Sequence, residues 1–100
     1  MLRAASRAAE RQWNDAKASE QELITAVRDR LTTGPMDRSD NPNRTHRLKP
    51  PLDLGVAGQQ KLPQWQHEFS AAGRIWYGID QVEHTVWITR VSLGPPRETH

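Results

Sequence analysis

Three short runs in the last third of the chain leave few choices for the fold. Trp65-Gln66-His67-Glu68-Phe69, Arg74-Ile75-Trp76-Tyr77-Gly78-Ile79-Asp80 and Thr85-Val86-Trp87-Ile88-Thr89-Arg90-Val91 are rich in β-branched and aromatic residues, which suit a pleated, half-buried surface. Ser70-Ala71-Ala72-Gly73 separates the first pair of runs and Gln81-Val82-Glu83 the second. Connections this short predict an antiparallel meander. Asp80 readily bonds its own backbone in a turn and so opens the second connection. Three of the four tryptophans and the sole tyrosine and phenylalanine fall in these runs, so the core is expected to form on them.

The first third has a different period. Leu2, Ala5, Ala9, Trp13 and Ala16 recur at spacings of three and four, which predicts a helix over about residues 3–17. Arg3, Arg7 and Arg11 fall four apart beside that face, as a solvated stripe or as a surface for RNA or a partner. Ser19-Glu20-Gln21-Glu22 reads as a capping box opening a second helix over about 20–33. Leu23, Val27 and Leu31, with Ile24 beside them, give that helix an apolar stripe, and Gly34-Pro35 supplies its stop. Trp13, Leu23, Val27 and Leu31 are expected to pack on one face of the sheet.

Between these regions Pro35 to Arg44 has no periodicity and reads as a surface loop. A first strand is expected near 46–49, ended by Pro50-Pro51 because proline cannot donate to a ladder. Asp53 to Pro63, with its two glycines, reads as a second, mobile loop. The other strands are expected near 64–70, 73–80 and 84–92. The sum is one α+β domain over residues 1–100: helices in about 1–34, a loop in about 35–45, a curved antiparallel sheet in about 46–93 and a short tail over 94–100.

Composition closes off several function classes. The chain has 100 residues, 35% hydrophobic, and no cysteine, so one modest core is feasible and disulfides and thiolate metal sites are excluded. Its four histidines lack ligand-like spacing, and neither a metal nor a cofactor is expected. No apolar run reaches the roughly 18 residues of a membrane span. Glu10 within the periodic start argues against a transit peptide, so a cytoplasmic protein is expected. A net charge of +2 is compatible with a nucleic-acid partner without demanding one.

Alternation sorts the strands. Ile75, Tyr77 and Ile79 share one face of the central strand, while Arg74, Trp76 and Asp80 share the other. In the last strand Val86 and Ile88 are expected to lie opposite Trp87 and Val91. The second face, with Trp76, Trp87 and nearby arginines, suits a concave surface that meets a partner, or the tryptophans cover a small core. Arg47, Lys49, Arg74, Arg90 and Arg97 lie on or beside the strands. Cations so placed can hold a phosphate and stabilise charge that builds on it during in-line attack.

The order of these motifs resembles the toxins of the RelE/ParE superfamily. A helix hairpin precedes Thr45-His46-Arg47-Leu48-Lys49, Gln64 to Phe69, Gly73-Arg74-Ile75-Trp76-Tyr77 and Thr85-Val86-Trp87-Ile88-Thr89. The likeness spans about residues 9 to 100, is strongest in the strands, and is closest to a branch common in actinobacteria. It implies two helices packed on a curved antiparallel sheet, and a toxin of a type II toxin–antitoxin pair held inactive by a cognate antitoxin. RelE-type members cut mRNA in the ribosomal A site; ParE-type members inhibit DNA gyrase. By the same likeness Arg74 would bind the scissile phosphate, Arg47, Lys49 and Arg90 would bind RNA backbone, and Arg97 or His100 would assist proton transfer. Two positions depart from the branch pattern: Pro95 stands where a histidine is usual, and His67 where a tyrosine is. The expectation is therefore a ribosome-dependent endoribonuclease with weakened chemistry, or else a ParE-like gyrase inhibitor or antitoxin-binding module without catalysis.

Overall fold

Ser6 is where the first helix begins. In the computed structural model, which describes residues 1–36 and 44–94, Ser6 is extended and its hydroxyl accepts the Ala9 amide at 3.1 Å. This occupies one of the orphan donors of helix α1 (Arg7–Ser19). The chain before it is not helical. Leu2–Ala4 form strand β1, lying parallel to β6 (Thr85–Ser92) with Leu2 beside Val86, Arg3 beside Trp87 and Ala4 beside Ile88. The Val86 amide donates to the Met1 carbonyl at 2.7 Å and the Ala5 amide to the Ile88 carbonyl at 2.8 Å. Backbone groups consumed by a distant strand cannot also close helical turns, so the helix starts four residues later than its period predicts and Arg3 leaves the expected arginine stripe.

The expected capping box at Ser19 does not form either. Ser19 ends α1, and its hydroxyl donates back to the Asp15 carbonyl at 3.1 Å. Glu20 alone joins the helices: its amide closes α1 on Ala16, and its carbonyl accepts the Ile24 amide of α2 (Gln21–Thr33). With one residue shared between two helices, Ser19 has no extended position from which to cap. The second helix otherwise runs as its sequence predicts and ends at Gly34, whose amide donates to the Arg30 carbonyl.

Among the described residues the sheet has six strands: β1, β6, β5 (Arg74–Asp80), β4 (Gln60–Glu68) and β2 (Thr45–Arg47) in that order, with β3 (Leu54–Ala57) paired to the outer end of β4. All pairs but β1 with β6 are antiparallel, so the sheet is mixed, not wholly antiparallel. Leu54–Ala57 and the first residues of β4 form a hairpin where a mobile loop is expected, turning at Gly58 with φ 64°. Glycine there is a turn device rather than a sign of disorder.

Both helices lie on one side. Ala9, Ala16, Ile24, Val27 and Leu31 meet Ile75, Tyr77, Val86, Ile88 and Val91 of the sheet, together with Phe69. Trp13 and Leu23 pack at the margin of this core, as the helical spacing predicts. Val91 joins the core despite its parity. Trp76 pairs with Arg90 and Tyr77 with Ile88, leaving Thr89 as an extra residue in β6. Such a bulge shifts the alternation by one, which turns Val91 inward and Arg90 outward.

A polar chain crosses this apolar layer. The Arg30 Nη2 donates to the Thr45 hydroxyl at 3.1 Å, and that hydroxyl lies 2.8 Å from His67 Nδ1. Thr45 and His67 are both buried, so the bonds tie α2 to β2 and β4. Tyr77 donates its phenol proton to the Pro35 carbonyl at 2.6 Å. Burial pushes that phenol well above its ordinary pKa, with the Arg30 cation pulling it weakly back. Among the described residues, no helix is long and apolar enough to cross a membrane.

Candidate nucleic-acid interface

The face away from the helices carries a straight row of side chains, one from each of four strands. Register places His46 opposite Gln66, Gln66 opposite Trp76, and Trp76 opposite Arg90. The row is hydrogen-bonded with a fixed direction. An indole can only donate, so the Trp76 Nε1, 2.8 Å from Gln66, fixes Oε1 of that amide as its acceptor. The Gln66 Nε2 then faces His46 Nε2 at 3.3 Å as donor. Accepting at Nε2 leaves the His46 proton on Nδ1, from which it is donated to the Arg47 carbonyl at 3.0 Å. At the other end the Arg90 guanidinium lies over the Trp76 ring, 5.2 Å from its centroid, in range of a cation–π attraction.

Arg74 enters beside this row, at the start of β5. Its Nη1 donates to the Gly73 carbonyl at 3.0 Å and lies near those of Ser70 and Ala71, while Nη2 pairs with Glu68 at 3.3 Å. Arg74, Arg90, Trp76, Gln66 and Ser92 together line a cleft of about 180 Å³. Two guanidinium groups, an indole, an amide and a hydroxyl in one small cleft form a surface for an anionic group attached to a planar one. Arginines so placed can hold a phosphate, and an aromatic ring can offer a stacking surface to a base. The pairing of Arg74 with Glu68 leaves each side chain about one-third exposed (32% and 31%), and a bond so placed is weak enough to be exchanged for a ligand.

The site residues expected from the sequence are not all brought together. Arg74 and Arg90 share the cleft. Arg47 lies opposite Trp65, on the parity that faces the helices, and points its Nη2 toward the Asp53 carbonyl at 3.4 Å. Lys49 follows the end of β2 and is exposed. Strand alternation is the reason: with Thr45 buried beside His67, it is His46 and not Arg47 that β2 presents to the open face. Arg97 and His100, like Pro95, lie outside the described residues. His46, Gln66 and Ser92 were not anticipated as site residues. Their signal is the cross-strand register, which single-strand alternation does not supply. The departure at His67 falls in the buried chain with Thr45, remote in role from the cleft.

Elsewhere the open face is partly covered. The β3–β4 hairpin folds over it, so that a Cβ added to Gly78 would sit 2.9 Å from the Leu62 Cβ. Thr89 donates to the Gln64 carboxamide oxygen beneath the hairpin, and Gln64 Nε2 donates to the Leu52 carbonyl at 2.9 Å. Trp87, opposite Gly78, carries the Arg3 guanidinium 5.9 Å from its ring centroid. No family model, curated protein or solved structure matches this chain.

Proposed function

We infer that the chain is a toxin of the RelE/ParE kind from a type II toxin–antitoxin pair, binding mRNA on the ribosome and cleaving it slowly. The observation that carries this reading is the pair of guanidinium groups, Arg74 and Arg90, converging with Trp76 in one cleft on the face opposite the helices. In the proposed reaction a ribose 2′-hydroxyl gives up its proton and attacks the adjacent phosphorus, closing a 2′,3′-cyclic phosphate while the bond to the 5′-oxygen of the next nucleotide breaks and that oxygen leaves protonated. Arg74, on a rigid strand, stabilises the charge that develops on the phosphoryl oxygens, and Arg90 holds the neighbouring backbone. Arg97 or His100 moves the proton, and Pro95 leaves the usual imidazole missing. General acid–base help is worth roughly 100- to 10,000-fold, so its loss slows the chemistry and spares binding. A cognate antitoxin would hold the protein inactive in the cytoplasm.

A second reading, a binding module without catalysis that inhibits DNA gyrase or only engages an antitoxin, draws support from His46. That imidazole is the one histidine of the row, and both its nitrogens are engaged, by Gln66 and by the Arg47 carbonyl. The two readings separate in an assay of mRNA cleavage on translating ribosomes. Arg74→Ala is expected to abolish cleavage and Pro95→His to raise it. Brisk cleavage by Arg74→Ala would remove this cleft from the chemistry. No cleavage by the wild type or by Pro95→His, with growth inhibition intact, would select the second reading.

A further inference from the structure

Among the described residues, the sheet has an edge that is neither charged nor closed. Gln64 donates its amide to the Asp53 carbonyl at 2.9 Å, and Gly55 lies opposite Leu62 and Ala57 opposite Gln60. Antiparallel ladders alternate bonded and non-bonded pairs, so residues 53, 55 and 57 spend their backbone groups on β4. The amides and carbonyls of Leu54 and Val56 point the other way, and no hydrogen bond to them occurs among the described residues. Their side chains are exposed as well, 49% for Leu54 and 61% for Val56, with Leu52 at 44% beside them. Proteins commonly blunt such an edge with lysine, proline or an inward charge. Residues 54–60 contain none of these.

We propose that β3 is the interface for a second copy of this chain, joined by antiparallel pairing of β3 with its counterpart about a two-fold axis at Gly55. The register is self-complementary. Centring the axis on Gly55 sets Leu54 of one copy against Val56 of the other, and each such pair exchanges an amide and a carbonyl that have no partner among the described residues. Gly55 meets its own copy in the non-bonded position, where Cα atoms approach most closely; its missing side chain faces Gln64 and Thr89 on the covered side, away from the edge. Two apolar Leu–Val pairs are covered. The result is a four-stranded ribbon in place of a two-stranded hairpin with one open edge.

Charge selects the partner. The other two described sheet edges carry a cation each, Arg3 on β1 and Arg47 on β2, and two copies of a chain of net charge +2 would repel each other there. No residue of 54–60 is charged, and the nearest charges, Asp53 beside Leu54 and Lys61 opposite Val56, are one of each sign, so neither an acidic nor a basic foreign strand is favoured. This association is independent of the proposed RNA chemistry, since Arg74 and Arg90 lie off the hairpin.

Sedimentation velocity on the full chain, from dilute to concentrated solution, tests it. The wild type is expected to move from 11.4 kDa toward twice that mass. Val56→Lys should raise the dimer dissociation constant at least about tenfold, because it drives an ammonium group without a partner into each Leu–Val pair. Val82→Lys, at an 85% exposed turn position, should leave it unchanged. Hydrogen exchange gives a second readout, with the Leu54 and Val56 amides gaining protection as concentration rises. A chain that stays single at every concentration overturns the proposal. So does a dimer that Val56→Lys leaves intact, or one in which those two amides stay unprotected; protection of the same amides only on adding a foreign strand would likewise give the edge to another partner.

Discussion

The two faces of strand β5 differ in how their side chains are held. Ile75 and Tyr77 point into the helices and are fully buried, and they are held chiefly by packing, with one directed bond from the Tyr77 phenol to the Pro35 carbonyl. Arg74 and Trp76, their immediate neighbours in sequence, point the other way and are fixed by directed bonds: Glu68 and the loop carbonyls for Arg74, Gln66 and Arg90 for Trp76. One strand therefore carries a face that resists exchange and a face whose bonds can be traded for a ligand's. The rigidity of the first is what keeps the second in register.

The sharpest way to break that contrast is to empty the packed face. Leu31, at 0% exposure in the core, is expected to cost about 2–5 kcal/mol when changed to alanine, through lost burial and the cavity left behind. Denaturant unfolding measures it. A loss under roughly half a kcal/mol, the usual size of a surface change, would mean that the helices do not hold the sheet.

That face was also the more legible in sequence. Leu31, Val27 and Leu23 announce it by spacing within one helix, and Ile75, Tyr77 and Ile79 by alternation within one strand. Features that depend on a partner far along the chain were not legible. Residues 2–4 have a helical period and become strand because β6, more than eighty residues later, takes their backbone groups. Val91 changes face because of a bulge at Thr89 that only the register with β5 reveals. The cleft shares this limit. Arg74 and Arg90 stand out by charge and strand position, whereas choosing His46 over Arg47 requires knowing which β2 residue lies opposite Gln66.

A smaller effect is expected from Tyr77→Phe, which leaves the Pro35 carbonyl without its donor at a cost of about 1–3 kcal/mol. It also has a pH signature. The folded phenol pKa is raised, so above about pH 10, the ordinary phenol value, the unfolded chain releases the proton while the folded one keeps it. Stability from this group is therefore complete below that pH and declines above it. Chemical denaturation across the alkaline range should show a steeper decline for the wild type than for Tyr77→Phe. Equal slopes would place the phenol in contact with water.

On the open face, Arg90→Ala should leave the fold intact and weaken binding of a short single-stranded RNA. The slope of log affinity against log salt should shrink by about one unit, as expected for one lost phosphate contact. An unchanged slope with weaker binding would mean that Arg90 acts only by holding the Trp76 ring, and Gln66→Ala should then reproduce the loss. A loss in Arg90→Ala that Gln66→Ala does not share would assign the contact to the guanidinium itself.

The smallest effect is the most specific to the proposed RNA surface. Glu68 occupies Arg74 Nη2 at 3.3 Å from a position about one-third exposed, so a phosphate must displace it or share the guanidinium with it. An ion pair this open to water is worth roughly 0–1 kcal/mol. Glu68→Gln should therefore change stability little, and should strengthen RNA binding by a similar amount, because the amide keeps the shape and drops the competing charge. If Arg74 served only to pin the Ser70–Gly73 connection, the same change would loosen that connection and leave RNA affinity where it was. Titrating wild type and Glu68→Gln with one RNA at two salt concentrations separates these outcomes. A gain at low salt that fades at high salt marks Arg74 as a ligand for phosphate, since only a charge competition is screened in that way.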